Sequence, residues 1–323
     1  MSYHAKFHQK IMAHDEVRAV LPVIDAHIHF VDFIQDTDGI RHLLEAMDAG
    51  NVAKAVVFGL PVKKKWEFFE KKPPHYYLDD NSPCYYFNQT DEILAQEFEK
   101  LPAKAQKRLA PLLCGFNPTD KYAVRDVERM LDKYPFWRGV GEVLCRHDDL
   151  TNLTREETAR MNHPALFDIY ELCAARKLPI LVHQNSTSVS IHDDYEHLHE
   201  LEEILENFPR TKIIWAHCGM SRRVFHKNYH DMVVSLFAKH PNLYVDISWV
   251  VYDDVICLNL EPKKHWLEVM KRYPDRFAIG SDLCGHFEHL GKTMARYNRL
   301  LEKLEPEAQK LIARENAERL WFG

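Results

Sequence analysis

A chain of 323 residues that is 46% hydrophobic and 11% aromatic carries enough apolar side chains for a sizeable buried core. Its formal charge of −6, with acidic and basic residues mixed along the chain, creates no basic field for a phosphate backbone, so nucleic acid is not an expected partner. Apolar runs are too short to cross a bilayer, and the first residues lack the apolar core of a signal peptide; a soluble, cytoplasmic protein with no membrane partner is expected.

Short β-branched apolar runs alternate with segments of helical periodicity. VIDAHIHF (23–30) is followed by the helical pattern GIRHLLEAMDAG (39–50). AKAVVFGL (53–60) leads through a long connection to DEILAQEFEKL (91–101), and RLAPLLCGF (108–116) leads to AVRDVERMLDKY (123–134). RGVGEVLC (138–145) precedes PALFDIYELCAARK (164–177), and PILVHQN (179–185) precedes YEHLHELEEILENF (195–208). KIIWAHCG (212–219) precedes HDMVVSLFAKH (230–240); NLYVDIS (242–248) and RFAIGSD (276–282) complete the set of eight runs. Nearly continuous apolar runs are the mark of parallel strands covered on both faces. Eight βα units in this length predict an α/β fold of the (β/α)8 TIM-barrel type, a single domain over 1–323. An open doubly wound sheet is the alternative, but no G-x-G-x-x-G follows the first run.

The connection after strand 2 is unusually long and dense in aromatic residues, Trp66 among them. Long loops in compact domains are commonly functional, so residues 61–88 are expected to form a lid or pocket wall, with Trp66 a candidate substrate contact. The seven cysteines are scattered without a C-x-x-C pair and read as reduced thiols.

Barrel enzymes place their chemistry at the C-terminal ends of the strands. Here strand 1 ends in His27 and His29, strand 4 in Glu142, strand 5 in His183, strand 6 in His217 and strand 8 in Asp282. In His27-Ile28-His29 the strand period of two turns both imidazoles to one face, where they can reach one ion. Taken singly, each histidine is as readily a packed rim residue, and Asp282 a helix or turn cap. Together, imidazoles and carboxylates converging on one mouth suit Zn2+ first, with Mn2+ or Fe2+ also compatible.

IDAHIHF, GVGE, LVHQN, WAHCG, GSD and the closing ENAERLW occur in the order found in the amidohydrolase superfamily, and the chain resembles its amidohydrolase-related (amidohydrolase 2) branch over about residues 23–322. The resemblance implies a (β/α)8 fold in which His27, His29, His183 and Asp282 hold one divalent metal. It also implies His217 as a second-metal ligand or a catalytic acid/base, and Asp282 as the proton acceptor. Glu142 resembles the strand-4 glutamate that bridges two metals in TatD-type hydrolases; its other reading is a partner of a nearby arginine or histidine. One ion is marginally preferred to two.

The expected activity is that of a metal-dependent hydrolase acting on a small carboxylate-, amide-, ester- or lactone-containing substrate through a metal-activated water, with Asp282, His217 and Glu142 as the catalytic groups. The alternative, drawn from the same branch, is a non-oxidative metal-dependent decarboxylase of an aromatic or related carboxylic acid. Arg222 and Arg223, just after WAHCGMS, are candidates to clamp a substrate carboxylate in either scheme. A non-catalytic metal-stabilised scaffold is a further competitor, and homo-oligomerisation is left open.

Overall fold

The computed structural model describes residues 15–66, 68, 71, 83–151, 157–191 and 194–323. Strands β1 (Val23–Val31), β2 (Val52–Gly59), β3 (Leu109–Leu113), β4 (Gly139–Cys145), β5 (Ile180–Gln184), β6 (Ile213–Trp215), β7 (Leu243–Asp246) and β8 (Phe277–Ala278) pair in parallel in that order. The sheet closes through the continuation of β8. Leu283–Cys284 form β9, which pairs in parallel with β1 at Ile28 and His29. Across the same seam Ala26 N–H donates to Ile279 C=O (2.9 Å) and Asp282 N–H donates to His27 C=O (2.8 Å). The result is a distorted (β/α)8 barrel, and the open-sheet alternative is excluded.

Six expected helices are present as α1 (Ile40–Gly50), α2 (Thr90–Glu99), α3 (Ala123–Lys133), α4 (Phe167–Arg176), α5 (Leu198–Asn207) and α6 (Tyr229–Lys239), with α7 (Lys264–Arg272) additional to the expected set. Their apolar faces pack on the outward side chains of the strands in one continuous core. A separate inner core fills the barrel with Ile24, Ala26, Val56, Phe58, Leu112 and Ile214, and the C-terminal segment adds Leu320 and Trp321 to it. A filled interior leaves only the mouth for chemistry.

One irregularity in β1 positions the site. Ile24 and Ala26 belong to the inner core, whereas Ile28 packs in the outer one. Strict alternation would keep Ile28 inside. The register with β2 shifts between Asp25 and Ile28. Asp25 holds this bulge by accepting the N–H of His27 (3.0 Å) and of Ser281 (2.9 Å). A bulge re-aims the residues that follow it. Here it brings His27 and His29 to the inner side.

The base of the insertion after β2 is an antiparallel pair, Val62–Lys64 with Cys84–Tyr86. Val62 and Cys84 pack with Phe33, Leu60, Leu144 and Leu150, which ties the insertion to the loops after β1 and β4. Half of the lid expected over 61–88, namely residues 67, 69–70 and 72–82, lies outside the described residues. Among the described residues, no helix is long and apolar enough to cross a membrane.

Candidate metal centre

The mouth is built where regular strand geometry stops. Arg146, His217, Cys218, Trp249 and Asp282 all have positive φ (42°, 55°, 52°, 66° and 57°), just beyond the ends of β4, β6, β7 and β8. Such a backbone is strained for residues with a Cβ and persists only where its surroundings over-determine it. The expected strand ends are corrected accordingly. β6 stops at Trp215 and β8 at Ala278, so His217 and Asp282 stand on turns that a left-handed backbone takes out of the ladder.

Glu142 is the centre of the cluster, and its two oxygens face different neighbours. Oε2 lies 3.4 Å from His29 Nε2 and 3.7 Å from His27 Nε2. Asp282 Oδ1 joins that side, 3.2 Å from each of the same two nitrogens. Oε1 lies 3.3 Å from His183 Nδ1 and 3.4 Å from His217 Nε2. His27, His29 and Glu142 form one group with metal-ligand spacing, and Glu142, His183 and His217 form another. The structure thus brings together all six residues expected at the mouth but divides them, with His183 across Glu142 from His27, His29 and Asp282.

The hydrogen bonds behind the imidazoles decide which nitrogen is left for an ion. His29 Nδ1 lies 3.2 Å from the carbonyl of Gly59, which can only accept, so Nε2 keeps its lone pair. His183 Nε2 lies 3.1 Å from Asn185 Oδ1, and when Nε2 donates there the lone pair stays on Nδ1, the atom that faces Glu142. His27 Nδ1 lies 3.1 Å from Asp246 Oδ2, and buried His27 Nε2 has no hydrogen-bond partner of acceptable geometry. Lone pairs and carboxylates aimed at common points are what a divalent cation requires. The donor set fits one.

Electrostatics points the same way. With protons on the facing ring nitrogens, burial opposes ionisation of Glu142, but the charge of His27 and the close approach of His183 and His217 prevail and hold its carboxyl well below the usual range. Burial of Asp282 is outweighed in the same state, by the charge of His217 and the close approach of His27 and His29. Burial also opposes a charge on His27, yet Asp246 and Glu142 push its pKa well above 6.5. Enclosed carboxylates need compensating positive charge, which a proton or a metal ion can supply.

Three neighbours of the centre were not singled out by the sequence reading. Asp246, fully buried at the end of β7, sits behind His27 and His217. The Trp249 ring packs against His217 (5.1 Å between centroids) and His183 (5.9 Å), and the His147 ring against His183 (4.5 Å). The usable signal was position, since all three end a strand run or follow one closely. Of the expected substrate contacts, Arg222 is buried beside Trp249, its guanidinium 5.7 Å from the ring. Arg223 is half exposed, and both arginines pair with Asp149. Trp66 is partly exposed, and no described hydrogen bond or ring contact joins it to the cluster.

The family model described as amidohydrolase matches residues 24–323. The chain belongs to the amidohydrolase superfamily, in its amidohydrolase-related branch. No curated protein matches significantly. Among solved structures the chain is similar to an uncharacterised TIM-barrel protein from Bordetella bronchiseptica, with 13% identity over 92% of this chain and 97% of that one and a TM-score of 0.59. It is similar to a dihydroxybenzoic acid decarboxylase from a Polaromonas species, solved with manganese and 2-nitroresorcinol, with 13% identity over 94% and 96% of the two chains and a TM-score of 0.57. Dihydroorotase from Campylobacter jejuni is similar at 17% identity over 92% and 82%, with a TM-score of 0.52. At these identities the likeness is one of fold. Family and cluster together make the chain an amidohydrolase-superfamily member whose His, Asp and Glu side chains have the spacing to hold a divalent metal.

Proposed function

We propose that this amidohydrolase-superfamily member hydrolyses a small carboxylate-, amide-, ester- or lactone-containing substrate at a centre of two divalent ions that share Glu142. The observation that carries this reading is the division of Glu142, with Oε2 toward His27 and His29 and Oε1 toward His183 and His217. With one oxygen toward each histidine pair, Glu142 would hold an ion on either side, which moves the balance from the single ion marginally preferred on sequence. Divalent metal there would supply Lewis acidity, making water a nucleophile at neutral pH and polarising the scissile carbonyl. Zn2+ fits this imidazole-rich donor set, and Mn2+ or Fe2+ also fit.

The protein groups divide the remaining work. Asp282 has the most exposed side chain of the site carboxylates, 11% against 2% for Glu142 and 0% for Asp246, so it is the one placed to take a proton from water and return it to the leaving group. Trp249 shields His183 and His217 from water. Arg222, held by Asp149 beside Trp249, offers its cation to a substrate carboxylate.

A second reading is non-oxidative decarboxylation, in which Asp282 or His217 protonates the carbon that loses CO2. The comparisons lend this reading more weight than hydrolysis, because dihydroxybenzoate decarboxylases recur among the similar structures. Geometry favours the first reading and fold neighbours the second. A panel of lactones, amides, esters and aromatic acids, offered to protein loaded with Zn2+ or Mn2+, separates them when hydrolysis and CO2 release are followed independently. Hydrolysis without CO2 release is expected; CO2 release from an aromatic acid with no hydrolysis in the panel would overturn the proposal in favour of the second reading.

A further inference from the structure

Asp246 and Ser248 lie two residues apart at the end of β7 and are both fully buried. The Asp246 oxygens serve different halves of the centre. Oδ2 lies 3.1 Å from His27 Nδ1. Oδ1 accepts the backbone N–H of His217 (3.1 Å), the N–H of Ser248 (3.0 Å) and the hydroxyl of Ser248 (2.5 Å). Ser248 Oγ is in turn 2.8 Å from His217 Nδ1.

These contacts leave one consistent assignment of protons. A carboxylate oxygen accepts, so His27 Nδ1 carries its hydrogen. The single hydrogen of Ser248 is committed to Asp246, so Oγ must accept from His217 Nδ1, which therefore carries its hydrogen too. In the neutral rings that a bound cation would require, the lone pair therefore falls on Nε2, the atom each ring turns to Glu142, at 3.7 Å for His27 and 3.4 Å for His217. His27, His217 and Asp246 also have metal-ligand spacing among themselves. Asp246, however, meets the Nδ1 edge of His27 directly and that of His217 through Ser248, and its oxygens already serve four donors. It acts behind the histidines.

We propose that Asp246 is the positioning residue that sets the ligand tautomer in both halves of the centre, directly at His27 and through the Ser248 hydroxyl at His217. The inference rests on the reading in which Glu142 is shared by two ions. It makes an asymmetric forecast. Loss of the Ser248 hydroxyl disturbs only the half that contains His217, whereas loss of the Asp246 charge disturbs both.

The test is Zn2+ binding to the full chain by chelator competition, together with long-range 1H–15N NMR of the histidine rings. Wild-type protein is expected to bind two ions with His27 and His217 protonated on Nδ1. Ser248→Ala should hold the first ion as tightly as wild type, weaken the second by about 10- to 100-fold and leave His217 as a tautomer mixture; Ser248→Thr should restore both. Asp246→Asn, whose amide can donate to His27 Nδ1, should weaken both ions by a similar factor. Because Ser248→Ala removes one hydroxyl only, it decides the matter even where Asp246→Asn fails to fold. Ser248→Ala with two ions at wild-type affinity and an unchanged His217 tautomer would overturn the relay. A wild-type protein that binds one ion would overturn the two-ion reading instead, and the His217 ring signals in Ser248→Ala would still judge the relay by themselves.

Discussion

Glu142→Gln exchanges one carboxylate oxygen for an amide that donates, and removes the negative charge both halves of the centre share. The amide keeps one oxygen, so one half retains an acceptor while the other meets an N–H group where imidazole lone pairs converge. Two unit charges about 4 Å apart, at an effective dielectric near 20, interact by about 4 kcal/mol, so losing the carboxylate charge beside a divalent ion should cost at least roughly a thousandfold in affinity. The half that receives the amide should therefore lose its ion at micromolar metal, while the other binds more weakly than in wild type. Metal analysis after gel filtration should give about one ion per chain in place of two, with turnover nearly abolished. Circular dichroism should stay unchanged, because the centre sits at the mouth above the packed interior. Two ions retained at wild-type affinity would refute the shared-carboxylate argument, and unchanged turnover as well would remove Glu142 from the site.

Three further outcomes follow from the geometry. His29→Ala and Asp282→Ala should each cut bound metal sharply while the barrel still folds; metal analysis with circular dichroism checks this, and full retention of metal in both variants would contradict the ligand set. Gly280→Ala should damage the centre from behind, since a Cβ there would lie 2.8 Å from His27 Cβ; a metal affinity and melting temperature equal to wild type would show that β1 and β8 can part without cost. Burial pushes the Asp91 carboxyl up from 3.8 to about 6, against hydrogen bonds from the Cys114 and Gly115 N–H groups. The acid is favoured in the fold, so its stabilising contribution is fully present below about pH 4 and is lost as pH rises through about 6, by an order of 3 kcal/mol in all. Asp91→Asn should flatten the fall of denaturant-measured stability across that window, and an unchanged pH slope would count against the assignment.

The order of strands and helices was legible because each βα unit repeats the same local signals, and six helices fall within a few residues of their periodic patterns. His27 and His29 were legible as a pair, but their aim was not. Simple alternation from Ile24 and Ala26 places Ile28 inside, and only the bulge held by Asp25 reverses that. The ends of β6 and β8 were misjudged because the apolar runs continue past the points where His217 and Asp282 adopt positive φ, and backbone handedness leaves no mark in hydropathy. Asp246 was hidden for a related reason. Inside NLYVDIS it reads as a strand residue, and its value lies in long-range contacts to His27 and His217 that only closure of the barrel creates.

Anomalous diffraction from crystals grown with Mn2+ or Zn2+ would show whether Glu142 stands between two cations. Two anomalous peaks about 3.5–4 Å apart are expected. One peak should lie against His27, His29 and Asp282 and the other against His183 and His217, with the Glu142 carboxylate between them. A single peak at full occupancy in saturating metal, with His183 or His217 unengaged, would contradict the two-ion reading.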